Sequence, residues 1–436
     1  MNFPPLPLLL LLCALPAVAQ PALDALVDKE LPSLLSLYEA LHAAPELSHQ
    51  EAKTAALVAQ ELRSLGFTVT EHLGKYPRPE WTGHGVAGVL RNGTGPTVLI
   101  RAEMDALPIE EKTGLAYASH EAGVMHACGH DLHTAAMIGT ARMLVALKDR
   151  WKGTVVLVGQ PAEETLDGAK ALVEGGLFEQ VPRPEWVLSL HDTAELPVGQ
   201  IGITPGPALA SAAAVEVTVR GKGGHASAPQ NAKDPIVLSA QLILALQTLI
   251  SRENSPFSPA VITVGSVHGG SKANIIPDEV KLALSVRAMD DEGRDRLIRS
   301  IERTARGLAE AAGIPEDRWP IVHVSETEVV PATYNDPALA ERLAGTFTEL
   351  LGAGNVVRMR PSLAADDFGH LALQEGRHVP SLLFNIGVAD PRKLDEAKAS
   401  GNPLPSPHSP LFAPVAEPSL RVGVKAMTAA VLELLR

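Results

Sequence analysis

The residues best suited to chemistry lie between positions 125 and 133, where the chain reads MHACGHDLH. Cys128 and His130 stand two apart, so in an extended segment both side chains point the same way and can meet one ion. Further candidates of the same kind follow along the chain: Glu163, Glu164, His191 and His408. Thiolate, imidazole and carboxylate are the groups that a borderline-soft divalent cation takes as ligands. The pattern predicts a metal-dependent hydrolase.

Two adjacent glutamates usually form a solvated charge pair, but Glu163 and Glu164 follow an apolar run at 155–158 that predicts a buried strand. Neighbours in an extended chain face opposite ways, so one carboxylate can bind a metal while the other faces a water molecule. Hydrolysis needs such a second group to take the proton of the water. His133 shares a helix face with His130, and we expect it to support the site or the fold instead of binding metal.

Length and composition limit the class of protein. A chain of 436 residues favours two domains, and a net charge of −13 without a basic stripe excludes a nucleic-acid partner. Residues 1–19 read as a signal peptide, with an apolar run at 6–15 and small residues at Ala17 and Ala19, although no Lys or Arg precedes the run. We expect export, to the periplasm or outside the cell. The mature chain then keeps Cys128 as its only cysteine, and we expect no membrane partner for it.

The elements that must position these residues alternate between strand and helix. Strands are predicted at 86–90, 97–100, 154–158 and 186–190, with a helix at 134–147. This order predicts an α/β fold with a mostly parallel sheet and site residues at strand ends. A second unit at 207–329 has the order β-α-β-β-α-β, which is the ferredoxin-like α+β arrangement. We therefore predict a catalytic domain made of residues 20–206 and 330–436, interrupted by this insertion.

Six short motifs occur in one order: RAEMDALP at 101–108, HACGHD at 126–131, QPAEE at 160–164, GGHA at 223–226, NIIP at 274–277 and HSPLF at 408–412. With them, the chain resembles the metallo-amidohydrolase family of hippurate hydrolase, indole-acetyl-amino-acid hydrolases and bacterial N-acyl-amino-acid deacylases, within the aminoacylase and carboxypeptidase clan. The resemblance covers nearly all of the mature chain.

The resemblance implies two divalent metal ions, zinc or manganese first and cobalt or nickel next, with Cys128 bridging them. It also implies a zinc-peptidase-like catalytic domain and a ferredoxin-like lid through which two chains form a homodimer. The family's metal ligands fall on five residues of this sequence: Cys128, His130, Glu164, His191 and His408.

The other roles that the resemblance implies fall on separate motifs. Glu163 corresponds to the general base and acid, and Asp105 to a residue that hydrogen-bonds a ligand histidine. His225 would reach into the partner subunit's site and polarise the scissile carbonyl. Asn274 and Arg287 would hold the free carboxylate of the substrate, although a structural salt bridge is an alternative for Arg287. For Asp131 we expect a combined role, capping the following helix and orienting a ligand imidazole.

These expectations define a function. We predict hydrolysis of the amide bond in small N-acyl amino acids, with a dipeptidase or carboxypeptidase as the alternative on the same scaffold. A metal-holding or peptide-binding protein without activity is a third possibility, which would leave Glu163 idle. Glu103 stands where the family usually has Asp, Gln230 where it has His, and Asp366 where it has Glu. None of these departures falls on a proposed ligand, so they bear on substrate preference.

Overall fold

The computed structural model describes residues 19–374 and 376–436. The predicted signal peptide lies outside the described residues except for Ala19, where the first helix begins. Its cleavage and the export of the chain stay predictions.

The larger unit is built on an eight-stranded sheet with four parallel strands at its centre. In spatial order the strands are β1 (Thr68–Leu73), β2 (Gly85–Asn92), β4 (Gly153–Gln160), β3 (Thr97–Glu103), β5 (Trp186–Pro197), β18 (Ser381–Ala389), β6 (Ile201–Ile203) and β15 (Val356–Arg358). Strands β4, β3, β5 and β18 run parallel, and antiparallel pairs occur nearer the edges. The predicted mostly parallel α/β sheet is confirmed.

Helices cover both faces of this sheet: α1 (Ala19–Ala43), α2 (Ala52–Ser64), α3 (His130–Ala146), α4 (Gly168–Glu174), α5 (Leu177–Gln180), α8 (Pro337–Leu351), α9 (Gly369–Ala372), α10 (Pro391–Ser400) and α11 (Ala416–Leu434). Successive residues of β4 show why its sequence is continuously apolar. Val155 and Leu157 belong to the core beneath α1, α3 and α11, whereas Val156 and Val158 pack on the other face with α4 and α5. Side chains of a strand alternate between faces, so a strand buried on both sides needs apolar residues at every position.

The smaller unit is a four-stranded antiparallel sheet with two helices on one face. Its strands lie in the order β10 (Ala260–His268), β12 (Glu279–Ala288), β8 (Ser211–Arg220) and β13 (Ile321–Val330). Helices α6 (Pro235–Thr248) and α7 (Asp291–Ala311) fill the connections, and β9 (Gly224–His225) and β11 (Ile275–Ile276) form a separate two-stranded antiparallel sheet. The chain order and the spatial order are those of the split β-α-β arrangement expected from the sequence.

The chain enters and leaves the smaller unit through two segments that pair with each other, β7 (Gly206–Leu209) and β14 (Thr333–Asn335). A further short pair, β16 (Leu373–Gln374) and β17 (Arg377–His378), lies in the larger unit. The exact domain boundaries stay predictions. By length and composition, one helical stretch of the described residues, Pro235–Glu253, would be able to cross a membrane. A core helix meets the same criterion, and Leu238, Leu242 and Leu246 of this stretch pack into the core of the smaller unit.

Candidate active site

The predicted site residues meet at the carboxyl ends of the central parallel strands. Asp105 follows β3, Glu163 and Glu164 follow β4, and His191 lies within β5. Because β4, β3 and β5 are neighbours, the three strands deliver these side chains to one edge of the sheet, where ligand sites of open α/β sheets form. The turn before α3 adds Cys128, the first residue of α3 adds His130, and His408 comes from the segment between α10 and α11.

A glycine makes the close approach of the Cys128–His130 turn possible. Gly129 has a φ of +75°, and a Cβ at this position would lie 2.5 Å from Oδ1 of Asp192. No L side chain would fit there without displacing the neighbouring strand β5. The glycine thus lets the thiol and the imidazole on either side of it reach the strand that carries His191.

The five predicted metal ligands are brought together. Ligand atoms of Cys128, His130 and Glu164 lie within 4.8 Å of one another. The Sγ of Cys128 is 3.6 Å from Nε2 of His191, and Nε2 of His408 is 3.3 Å from Oε2 of Glu164. These contacts link all five residues into one cluster. Cys128 lies near His130 and His191, and Glu164 lies near His130 and His408.

The histidines are oriented as ligands. Nδ1 of His130 is 2.8 Å from the carbonyl oxygen of Asp105, and Nδ1 of His191 is 2.8 Å from that of Asp192. A carbonyl oxygen only accepts, so each Nδ1 carries the proton and each Nε2 presents its lone pair to the cluster. Nε2 of His130 and Oε1 of Glu164 are buried, and neither has a hydrogen-bond partner within 19–374 and 376–436. Buried acceptors of this kind fit a cation between them.

The thiol of Cys128 fits the same conclusion. Burial raises the pKa of Cys128 well above its usual value, so the buried thiol keeps its proton unless a cation takes its place. The donor set of one sulfur, three imidazole nitrogens and a carboxylate suits zinc or a neighbouring divalent metal. The fifth ligand, His408, has a positive φ of +69° and a largely exposed ring, which places it at the open side of the cluster.

Glu163 has the properties of a proton carrier. Its side chain is buried, and Oε2 lies 3.7 Å from Nε2 of His130. Burial, followed by the negative charges of Asp366 and Glu164, raises the pKa of Glu163 well above its usual value. A carboxyl group with a raised pKa can both take and return a proton near neutral pH.

Asp105 contacts two of the predicted ligand residues, His130 and Glu164. Its backbone carbonyl accepts from His130, and its Oδ2 accepts from the Ser48 hydroxyl at 2.7 Å and from the Glu164 amide at 3.0 Å. Asp105 therefore fixes both an imidazole and the backbone of a carboxylate ligand.

The role expected of Asp131 needs correction. Gly129, not Asp131, occupies the N-cap of α3, and no side chain caps the helix there. Oδ2 of Asp131 instead lies 2.6 Å from Nδ1 of His42, and its Oδ1 accepts from the Leu132 amide. The carboxylate points away from the ligand cluster because α1 offers it a buried histidine on the other side.

A buried charge network beneath the ligands was not anticipated from the sequence. His133 lies between Oε2 of Glu103 at 3.0 Å and Oδ1 of Asp192 at 3.1 Å. Fully buried Arg101 contacts Glu103 and pairs with Asp366 at 2.8 Å. His133 thus supports the site, as expected. Among the missed residues only Asp192 had a sequence signal, because it directly follows His191.

Three side chains of the segment before α2 also hold the site. Ser48 donates to Asp105, His49 contacts Asp167 at 3.1 Å, and Oε1 of Glu51 accepts from the Ala162 amide at 2.8 Å. Ala162 has a positive φ of +53° and directly precedes Glu163. The segment 48–51 therefore braces the loop that carries both glutamates.

A large cleft opens from the ligand cluster, with a volume of about 1220 Å³. Arg287, on β12 of the smaller unit, lines it together with Glu163 and His408. The guanidinium of Arg287 donates to the Leu363 carbonyl at 2.8 Å, and it forms no salt bridge with a carboxylate of the described residues. The alternative of a structural salt bridge for Arg287 finds no support in these contacts.

His225 and Asn274 lie elsewhere. Both lie at the short β9–β11 sheet, where His225 pairs with Ile275, and both are exposed. Neither lines the cleft of its own chain. Asn274 is thus separated from Arg287, with which we had grouped it, and stands beside His225 instead.

Comparisons with known proteins identify the family of this chain. The profile of peptidase family M20/M25/M40 matches residues 99–432. An IAA-amino acid hydrolase ILR1-like protein of Arabidopsis thaliana is 34% identical over 87% of this chain and 80% of its own length. The hippurate hydrolase of Campylobacter jejuni is 38% identical over 76% of this chain and 82% of its own length.

Among solved structures, a Bacillus subtilis protein described as a dinuclear metal binding peptidase of the M20 family superposes with a TM-score of 0.75 at 28% identity. The match covers 94% of this chain and 99% of the other. Residues 99–432, which the family profile matches, include all five members of the ligand cluster together with Glu163. The chain belongs to peptidase family M20/M25/M40, and it is a metal-dependent amidohydrolase.

Proposed function

We propose that this enzyme hydrolyses the amide bond of N-acylated amino acids at a centre of two divalent metal ions. The observation that carries the proposal is the single cluster of Cys128, His130, Glu164, His191 and His408, with Glu163 beside it. The similarity to a hippurate hydrolase and an IAA-amino acid hydrolase supports the substrate class, and the dinuclear Bacillus subtilis relative supports the number of ions.

The protein residues divide the work. When bound, the divalent ions supply Lewis acidity, which polarises a carbonyl and lowers the pKa of water. Glu163 takes the proton of the attacking water and returns it to the nitrogen of the leaving amine, which its raised pKa permits. Arg287 holds the free carboxylate of the substrate from the opposite wall of the cleft, and its fixed fork sets the distance from that carboxylate to the amide.

Glu163→Gln provides the test. The variant keeps the shape of the side chain and every predicted ligand, so metal content should match the wild type. We expect kcat for hippurate, with zinc or manganese added, to fall at least a hundredfold, within the range for loss of a general base. Equal turnover by both proteins would contradict the role of Glu163. Faster cleavage of unsubstituted dipeptides than of acylated amino acids would favour the dipeptidase alternative.

We also propose that the enzyme acts as a homodimer in which His225 completes the site of the partner chain. Two observations support this proposal. His225 and Asn274 do not line the cleft of their own chain, and the smaller unit exposes large apolar side chains: Ile236, Val237, Leu244, Phe257 and Val267. Several large exposed apolar side chains on one unit are typical of an interaction surface.

Mixed dimers test this arrangement. Glu163→Gln chains and His225→Ala chains are each expected to be inactive alone. If His225 acts on the partner, a mixed dimer pairs an intact Glu163 of one chain with an intact His225 of the other, and activity should return at one site in two. Failure of every mixture to regain activity, although mixed dimers are present by mass, would contradict the exchange of His225.

A further inference from the structure

We propose that Arg360 makes this site selective for substrates with a second carboxylate, besides the one expected at Arg287. The inference rests on the proposed function, because it concerns the same cleft and the same reaction. The proposed substrate class is a dianionic N-acyl amino acid. The residue proposed to recognise it, Arg360, lies outside the ligand cluster and outside the sequence motifs described above.

Three arginines line the cleft, but their charges are not equally available. Arg358 pairs with Glu341 on helix α8. Arg287 donates only to uncharged acceptors, the Ser285 hydroxyl and the Leu363 carbonyl. Arg360 is exposed and forms neither a hydrogen bond nor an ion pair with any residue in the described part of the chain. Two guanidinium groups without a counter-ion therefore share one cleft.

The carboxylates of the cleft do not supply the missing counter-charge. Asp366 pairs with Arg101, and Asp192 with His133. Glu195 lines the same cleft, but the salt bridges between described residues do not include a pair with Arg360. A substrate carboxylate can therefore pair with Arg360 without breaking an existing contact, and a guanidinium binds a carboxylate through two parallel hydrogen bonds.

The backbone that carries Arg360 is held in place on both sides. The Met359 amide donates to the Ile203 carbonyl at 3.0 Å, and the Ser362 amide donates to the Ala208 carbonyl at 2.9 Å. Pro361 follows Arg360 directly and fixes one backbone torsion. A substrate that binds here does not need to order the loop first, so the cost of binding is confined to the Arg360 side chain.

The second carboxylate can belong to the amino acid or to the acyl group, and matched substrates separate the two sources. N-Benzoyl-glutamate is compared with N-benzoyl-glutamine, and N-succinyl-alanine with N-succinamoyl-alanine. Within each pair only a carboxylate and an amide differ. We expect the wild type to prefer the acid in one pair by about fivefold in kcat/KM, the upper range for an exposed ion pair, mainly through KM.

Arg360→Gln should abolish that preference while leaving kcat/KM for the amide substrates unchanged, and Arg360→Lys should retain part of it. Arg358→Gln is the matched control. It removes the same charge two residues away from Arg360, but from an arginine that already pairs with Glu341. Equal rates for acid and amide in both pairs by the wild type would overturn the inference while leaving the amidohydrolase intact.

A preference that survives Arg360→Gln, or that disappears equally in Arg358→Gln, would overturn the assignment to Arg360. Hydrolysis of none of the four substrates by the metal-loaded wild type would overturn the proposed function, and this inference with it.

Discussion

Replacing Glu51 should weaken catalysis although this residue touches neither a predicted ligand nor the cleft. Glu51 is fully buried, and its Oε1 accepts from the amides of His49 and Ala162 at 3.0 and 2.8 Å. Ala162 holds a left-handed backbone conformation directly before Glu163. The perturbation is Glu51→Ala, with Glu51→Gln as the conservative variant.

Two features of Ala162 bear on the magnitude. Loss of the acceptor leaves a buried amide without a partner, which costs about 1–3 kcal/mol, and the left-handed conformation of alanine itself costs about 1–2 kcal/mol. Without Glu51 the loop at Ala162 lowers its free energy by leaving the left-handed conformation. We expect this change to move Glu163 from its position. The strain is already present in the wild type, so the new cost is the lost hydrogen bond, and about 1–3 kcal/mol corresponds to a kcat that is lower by about fivefold to 150-fold.

Glu51→Gln should stay within about threefold of the wild type. Burial, followed by the charge of Asp105, raises the pKa of Glu51 to about 8, so the carboxyl group is mostly uncharged at neutral pH. A glutamine oxygen accepts the same two hydrogen bonds. The result therefore separates the acceptor function of Glu51 from its charge.

The assay measures kcat and KM for hippurate, metal content and thermal stability. Glu46→Ala is the control. Glu46 accepts from the amides of Lys53 and Thr54 in the first turn of α2, the helix that Glu51 precedes, but it does not contact Ala162. It should lower stability without lowering kcat. Unchanged kcat in Glu51→Ala, or equal losses in Glu51→Ala and Glu46→Ala, would refute the bracing role.

Three further outcomes are expected. Cys128→Ala should lose metal and most activity, and unchanged metal stoichiometry by elemental analysis would contradict the ligand assignment. Arg101→Met removes the cation from the buried carboxylates Glu103 and Asp366, so it should lower the free energy of unfolding by about 3–5 kcal/mol; a loss below 1 kcal/mol in urea unfolding would argue against this pairing. His42→Gln should reduce stability below pH 6.5 more than above pH 9, as compared with the wild type in urea titrations at both pH values.

The direction of the His42 effect follows from its environment. Burial lowers the pKa of His42, but the hydrogen bond and charge of Asp131, with the charge of Glu111, raise it to about 9. A group whose folded pKa exceeds its unfolded value of about 6.5 stabilises the fold fully below the lower value, and this stabilisation is lost as the pH rises through the higher one. The contribution is on the order of 3 kcal/mol. A difference between variant and wild type that grows with pH would contradict the pairing.

The sequence predicted that most of the ligands meet, because Glu164 and His191 follow recognisable strands and Cys128 and His130 precede a helix, whereas His408 was assigned from the family resemblance alone. Parallel strands that end at one edge of a sheet place such residues together whatever lies between them in the chain. The period-two and helical patterns also predicted the inserted unit, since strand β12 alternates between buried and exposed residues and helix α7 is amphipathic, although α6 is apolar on most of its surface.

Partners that no local pattern links were beyond this reasoning. Asp131 was expected to serve the helix that it begins, yet it pairs with His42, which lies 89 positions earlier. Asp366 meets Arg101 across 265 positions. In such cases burial decides which charges must pair, and burial is known only once the helices have packed. The prediction of Asp131 was wrong for this reason, and Glu51 was overlooked for the same one.

The pairing of β7 with β14 has a geometric consequence for the inserted unit. Both crossings between the units are tied to each other, and Asn335 anchors them to the larger sheet through the carbonyl groups of Thr204 and Leu383. The insertion is thus connected to the larger unit by a two-stranded antiparallel linker, so any rotation of the inserted unit must twist this β7–β14 pair. All five candidate metal ligands lie outside the β7–β14 pair and in the larger unit. A rotation of the inserted unit would therefore change access to the ligand cluster but not the distances between the ligands.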